Sequence, residues 1–290
     1  MTSPVPVLDI GGTHVSAALV DPSSWSVLQT TRYHLDADGP APALIDRFWR
    51  AGNALRAPSG AVWGVAMPDP FDYERGIGQF EGVGKFTGLR GVDVGEALRA
   101  RLRGSMAFLN DADAFLLGEW AAGAALGARR CAGITLGTGI GSAWLVDGAV
   151  VDPGTPPGGR IHRMTIGGLP LEDVVSRRAI RRAYAQAGGD LSMDVKEIAE
   201  AARSGVTVAR RVLDQAMTAL GRVVGRCCAG FRAEVLVIGG SMSASWDLFE
   251  PAFRTGALGN GLPRVVLAAD SEHAPLIGAA VHAVRHVRPA

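Results

Sequence analysis

Val5-Pro6-Val7-Leu8-Asp9-Ile10, Gly11-Gly12-Thr13 and Val15-Ser16-Ala17-Ala18-Leu19-Val20-Asp21 follow one another near the start of the chain. A short apolar run, a glycine turn and a second apolar run read as a buried strand folded back in a hairpin. Further along, Ala132-Gly133-Ile134-Thr135-Leu136 leads into Gly137-Thr138-Gly139-Ile140-Gly141 and then Ser142-Ala143-Trp144-Leu145-Val146. The same strand, turn and strand thus occur twice, which suggests two related halves.

Around these hairpins the pattern alternates. Residues 27–34 and 61–67 read as strands, the latter ended by Pro68-Asp69-Pro70, and 41–55 as a helix. A glycine-rich connection over 76–91 precedes a helix at 94–102 and a short strand at 106–109 that runs into Asn110-Asp111. The alanine-rich segment 112–126 reads as a helix. Residues 153–159 read as loop, and 171–186, 195–202 and 208–231 as helices. A strand at 234–238 stops at Gly239-Gly240, and a strand at 265–268 and a helix at 275–287 close the chain. Mixed strands and helices in two halves predict an α/β protein of two lobes with a central cleft. Residues 1–112 with 277–290 form one expected lobe and 113–276 the other.

Composition narrows the function classes. The 290 residues are 48% hydrophobic and 20% charged, which is ample core material for a globular protein. A net charge of +1 leaves no basic footprint for nucleic acid. The three cysteines, Cys131, Cys227 and Cys228, give neither a disulfide framework nor a metal-ligand spacing. With no basic leader followed by an apolar run, and no stretch long enough to span a bilayer, a cytoplasmic protein without a membrane partner is expected.

The glycine turns carry the first chemical signal. Phosphate oxygens need backbone N–H groups that no side chain obstructs, and glycine offers that approach and unusual dihedrals. Neither turn is a Walker A loop or a dinucleotide fingerprint, because a strand rather than a helix follows each. One such turn alone reads more readily as a simple tight hairpin. Two of them, with a third at Gly239-Gly240-Ser241, would hold one nucleotide from both sides. Asp9 ends an apolar strand, where a carboxylate needs a partner; it reads as a water-mediated Mg²⁺ ligand or as an Asx-type turn residue. Asn110-Asp111 sits where a strand meets a helix, a preferred N-cap position. It is also the strand end at which α/β folds place their chemistry. In a loose phosphoryl-transfer transition state, an aligned carboxylate can take the hydroxyl proton late. Asp113, two positions on, faces another way and reads as solvated or structural.

Together these residues resemble a family. Asp9-Ile10-Gly11-Gly12-Thr13 with Ala17-Ala18-Leu19-Val20-Asp21 resembles the first phosphate motif of the ROK sugar kinases. Leu109-Asn110-Asp111-Ala112-Asp113-Ala114 with Gly118-Glu119 resembles the sugar-binding and catalytic segment, and Leu136-Gly137-Thr138-Gly139-Ile140-Gly141 the second phosphate motif. Val237-Ile238-Gly239-Gly240-Ser241 resembles the adenosine motif, and Leu276-Ile277-Gly278-Ala279-Ala280 the closing helix. The resemblance spans nearly the whole chain in family order. It implies an actin-like ATPase fold of the ribonuclease H-like, hexokinase type, with ATP and Mg²⁺. The implied acceptor is a hexose or aminosugar, such as glucose or kanosamine, phosphorylated most often on C6. Asp111 would be the base and Asn110 a partner of a ring hydroxyl. Glu172, which by itself reads as an acidic residue in a helix's first turn, matches a sugar-binding glutamate. Members are often dimers, which leaves a homodimer open.

Several positions depart from the family pattern. The Glu-x-Gly-His segment becomes Gly158-Gly159-Arg160-Ile161-His162-Arg163, so His162 or Arg163 takes the histidine position; His162 is preferred because imidazole both donates and accepts. The cysteine loop that binds zinc is missing, so no zinc site is expected. The Pro-Gly-Pro turn is Pro68-Asp69-Pro70, which makes Asp69 a candidate sugar contact, and the usual Pro-Asn segment becomes Glu81-Gly82-Val83-Gly84-Lys85-Phe86. Asp69 and Glu81 would attract an ammonium-bearing sugar, whereas Arg160 would oppose it. Two other functions compete with this reading. A sugar-responsive transcriptional regulator needs a DNA-binding domain before the first phosphate motif, which here begins within the first ten residues. A kinase of another actin-like branch, acting on acetate or a vitamin precursor, is disfavoured by Asn110-Asp111 and Glu172.

Overall fold

The run Val5–Ile10 forms strand β1, and the glycines turn it into β2 (His14–Val20), which pairs with it antiparallel from Val5↔Val20 to Ile10↔Val15. These positions come from a computed structural model, which describes residues 3–151 and 160–287. The loop expected at 153–159, with Gly158-Gly159, therefore lies outside the described residues.

Strand β3 (Val27–His34) extends the hairpin at its edge. After helix α1 (Ala41–Asn53), strand β4 (Val62–Met67) adds parallel to β1 on its other side. The glycine-rich connection contains a small hairpin, β5 (Phe71–Asp72) with β6 (Ile77–Gly78), and a 3-10 turn at Thr87–Leu89. It is packed rather than loose: Phe71, Phe80, Phe86 and Leu89 are all buried, with the Phe80 and Phe86 rings 5.2 Å apart. Helix α2 (Val94–Leu102) is capped by Asp93, which accepts the Glu96 N–H. Strand β7 (Ser105–Asn110) then pairs parallel with β4, completing the sheet order β3-β2-β1-β4-β7. Helix α3 (Asp111–Ala122) has no polar face; residues 112–119 are all buried, as expected of a helix enclosed on every side.

The second half repeats this plan. Strands β8 (Arg130–Leu136) and β9 (Ile140–Val146) are joined by the second glycine turn, and β10 (Ala149–Val150) lies at the edge. A two-residue hairpin, β11 (Thr165–Ile166) with β12 (Leu169–Pro170), follows. The helix expected over 171–186 is broken into α4 (Glu172–Val175) and α5 (Arg177–Gln186), because Ser176 takes an extended conformation and its hydroxyl caps Ala179 N–H. Helices α6 (Val195–Arg203) and α7 (Thr207–Phe231) lead to β13 (Val235–Gly239), parallel to β8. A helix not anticipated, α8 (Trp246–Gly256), packs on α7 before β14 (Arg264–Leu267) closes the order β10-β9-β8-β13-β14. Helix α9 (Ala274–Val287) returns to the first half, packing on α3, β1 and β4.

The chain divides into two units, Met1–Leu126 with Glu272–Ala290 and Gly127–Ser271, each with its own apolar core. All of α3 belongs to the first unit, where the sequence placed a boundary at its start. Its extensive packing on α9 is the physical reason. No helix of the described residues is long and apolar enough to cross a membrane.

Candidate active site

In the first unit the candidate residues gather at the carboxyl ends of three neighbouring strands. Register places Asp9 of β1 beside Ala66 of β4, and Met67 of β4 beside Asn110 of β7. Asp111 follows as the first residue of α3. Asn110 caps that helix: its Oδ1 accepts from Ala112 N–H at 3.0 Å and Asp113 N–H at 3.3 Å. The N-cap and functional readings of Asn110 are therefore compatible, since its Nδ2 points elsewhere and donates to the Tyr73 hydroxyl at 3.1 Å. Asp113 is buried, which leaves the structural one of its two readings.

Tyr73 was not foreseen. It stands in the β5–β6 turn, which is held by Arg75 N–H to Asp72 Oδ1 and Gly76 N–H to Asp72 carbonyl. From there its hydroxyl reaches the Met67 carbonyl at 3.0 Å and Asp69 Oδ1 at 2.9 Å. The available signal was a tyrosine placed shortly after Asp69 in a tight turn. Burial first, then the charges of Asp69 and Asp111, push the Tyr73 hydroxyl far up, so it remains a protonated donor.

The electrostatics centre on two carboxylates. Burial, followed by the charge of Asp111, pushes Asp9 up to about 7, against the partial relief of Arg32. Arg32 is itself bonded to Glu272 at 2.8 Å on the surface. The Asp9 edge is thus short of positive charge. Gly11 N–H is taken up by the His14 carbonyl at 2.9 Å, while the flank of Gly12 opens onto free space. Thr13 contributes its carbonyl to Leu35 N–H, and its hydroxyl lies 3.0 Å from His14 Nδ1.

In the second unit the turn Gly137–Gly141 meets two other candidate segments. Gly137 N–H bonds the Gly139 carbonyl, and the Gly137 carbonyl accepts Arg177 N–H at 3.1 Å. A Cβ on Gly139 would stand 2.4 Å from Glu172 Oε1, and one on Gly137 would stand 3.5 Å from Ser241 Oγ. Thr138 is exposed at the tip, and Gly141 pairs with Thr135. Gly239 ends β13 opposite Thr135, and Gly240 takes φ +85 with its α-carbon against the Leu136 backbone. Glycine turns of this kind are expected to supply unusual dihedrals. Only Gly240 does so; Gly11, Gly12, Gly137 and Gly139 lie outside the left-handed region, and at Gly139 an added side chain would have to displace the Glu172 carboxylate.

Beside this cluster a cavity of about 320 Å³ is lined by Arg177, Asp194, Lys196, Arg203, Ser241 and Met242. Arg177 grips Asp194 with Nε at 2.6 Å and with Nη2, and that guanidinium holds the Asp194 carboxyl below its ordinary value. Arg177 also went unread in the sequence, where it is one of several adjacent arginines.

His162 lies in a 3-10 turn at Ile161–Arg163, and its Nε2 accepts from Arg163 Nε at 3.3 Å. The two residues offered for the family histidine are thus bonded to each other. Glu81 is paired with Arg90 at 2.8 Å on the surface. Among the described residues no cluster of three or more His, Cys, Asp or Glu that could hold a metal ion is found.

Solved structures share this architecture. The ROK hexokinase from Thermus thermophilus superposes with a TM-score of 0.79 at 26% identity, covering 98% of this chain and 99% of that one. A ROK family glucokinase from Streptomyces griseus, solved with glucose and AMPPNP, gives 0.80 at 21% identity over 97% and 99%. Two sheets of repeated order, each with a glycine turn after its first strand, constitute the actin-like ATPase fold. The chain belongs to the ROK family, whose profile matches residues 6–155 and 168–285. Its sequence is also 29% identical to a glucokinase from Thermotoga maritima, over 93% of this chain and 92% of that protein.

Proposed function

We propose that the chain is an ATP-dependent kinase that transfers the γ-phosphoryl group to a hydroxyl of a hexose or aminosugar. The observation that carries the reading is Asp111, a carboxylate at the carboxyl end of β7 whose charge acts on Asp9, in a chain whose relatives include a glucokinase and a hexokinase. As the sugar oxygen bonds to the γ-phosphorus, the bond from that phosphorus to the β,γ-bridging oxygen breaks and ADP leaves. The hydroxyl proton passes late to Asp111. Asn110 orients the sugar, with Asp69, His162 and Glu172 as further acceptor contacts, and the C6 hydroxyl is the expected nucleophile.

The Gly11-Gly12-Thr13 turn and the Gly137–Gly141 turn serve the phosphates. Gly239-Gly240-Ser241, at the edge of the 320 Å³ cavity, serves the nucleoside. The residues fit Mg²⁺: Asp9 is a half-buried carboxylate pushed up by burial and by Asp111 and only partly relieved by Arg32, suited to a hard cation that keeps most of its waters. When bound, the ion would neutralise phosphate charge; Asp9 would hold it through water.

A coupled ADP-release assay over neutral hexoses, N-acetylated sugars and free aminosugars tests the proposal. Mg²⁺-dependent turnover on at least one sugar is expected, and ADP release indifferent to every sugar would refute it.

A further inference from the structure

The hydroxyl of Tyr73 has one proton and two acceptors within reach, Met67 carbonyl at 3.0 Å and Asp69 Oδ1 at 2.9 Å, while accepting from Asn110 Nδ2 at 3.1 Å. Met67 and Asn110 are register partners, so the phenol oxygen ties together the ends of two adjacent parallel strands. The ring is fixed by the core: it packs on the apolar cluster of the first unit, its centroid 5.4 Å from that of Phe71. A rigid aromatic stem therefore carries a single polar atom to the point where Asn110 and Asp69 converge.

From this geometry we infer that Tyr73 is a positioning residue of the acceptor site, holding the Asn110 carboxamide in one orientation and exchanging its proton between Asp69 and Met67. This rests on the kinase reading given above. Asn110 Oδ1 is committed to the α3 N-terminus, so its amide has one usable face; the bond to Tyr73 keeps Nδ2 from rotating into the cap position. A carboxylate oxygen accepts the Tyr73 hydrogen bond more strongly than a neutral carbonyl does, so the Asp69 partner is preferred. When a sugar hydroxyl or ammonium donates to Asp69, Tyr73 turns to the Met67 carbonyl and no polar group loses its partner. No covalent bond changes; a hydrogen bond moves by rotation about the C–O axis. Asp69 is thereby able to change partners on binding, a device that would favour acceptors bearing a donor group at that position.

Two measurements on Tyr73→Phe decide the matter. Steady-state kinetics with the preferred sugar should give an acceptor KM raised about 10-fold, the worth of one hydrogen bond, with ATP KM within about twofold. Independently, the Asn110 side-chain amide signal, assigned by its disappearance in Asn110→Ser, should exchange with solvent about 10-fold faster in Tyr73→Phe than in the wild type. An unchanged amide exchange rate overturns the inference, as does a parallel rise in both KM values, which would mean general loosening. If the wild type phosphorylates no sugar, the kinase reading falls, while the amide measurement still decides whether Tyr73 holds Asn110.

Discussion

Gly118 and Gly278 each rest on a backbone carbonyl of the opposite helix: a Cβ would lie 1.9 Å from the Ala274 carbonyl oxygen at Gly118, and 1.8 Å from that of Ala114 at Gly278. Helices α3 and α9 therefore meet backbone to backbone, and Asp111, at the N-terminus of α3, inherits its position from that contact. Rigid backbone cannot yield as a side-chain tip can. Gly118→Ala and Gly278→Ala should each destabilise the protein by roughly 2–3 kcal/mol, read as a lowered midpoint in thermal or urea unfolding. Wild-type stability in either variant would mean that the helices are free to separate.

Asp111→Asn keeps the side-chain shape and removes the proton acceptor. Turnover should fall at least about 100-fold, the lower end for a general base, with ATP KM little changed. Activity retained at the wild-type level would assign the base elsewhere.

Gly139→Ala forces the Glu172 carboxylate aside, and a carboxylate can move. The expected result is a loss in kcat/KM of about 10- to 100-fold with a thermal midpoint within about 3 °C of the wild type. An equal loss of stability would instead make Gly139 a packing residue.

His282 on α9 gives a pH signature. Burial, then the neighbouring His286 charge, lower it from 6.5 to about 4, although its ring donates to the Phe108 carbonyl. The unfolded chain binds the proton at higher pH than the folded one, so stability is full above 6.5 and is lost as pH falls toward 4. The loss is on the order of 3 kcal/mol. Asp9, raised in the fold, acts in the opposite direction, so the comparison to make is wild type against His282→Gln by urea unfolding from pH 7 to pH 4.5. The variant should show the flatter acid limb; identical limbs would remove His282 from the account.

The three cysteines are buried, and burial pushes Cys131 and Cys228 up to about 12 and Cys227 up to about 11. The native protein at pH 8 should resist a thiol reagent over minutes and react fully once unfolded in guanidinium. Rapid native labelling of any of them would show local opening around α7 or β8.

Much of this was legible in the sequence, for physical reasons. Apolar runs broken by glycine, as in Val5–Ile10 and Arg130–Leu136, carry strand and turn signals in the same few residues. Asn110-Asp111 could be found because caps and strand ends have a narrow vocabulary. What escaped was set by contacts distant in sequence or by single side chains. Ser176 splits a periodic apolar pattern by one hydroxyl bond. Helix α8 contains Pro251, which argues against a helix when read locally. The membership of α3 in the first unit depends on α9, at the far end of the chain. Tyr73 and Arg177 acquire meaning only through partners, Asn110 and Asp194, that no spacing rule joins to them.

The outermost strands of the two sheets, β3 and β10, occupy equivalent places but are eight and two residues long. That disparity marks this margin as the part of the architecture where length is negotiable, while the three inner strands of each sheet stay between five and seven residues. Grafted sequence, tags or spectroscopic reporters belong on those margins, where adding material leaves the working edge undisturbed.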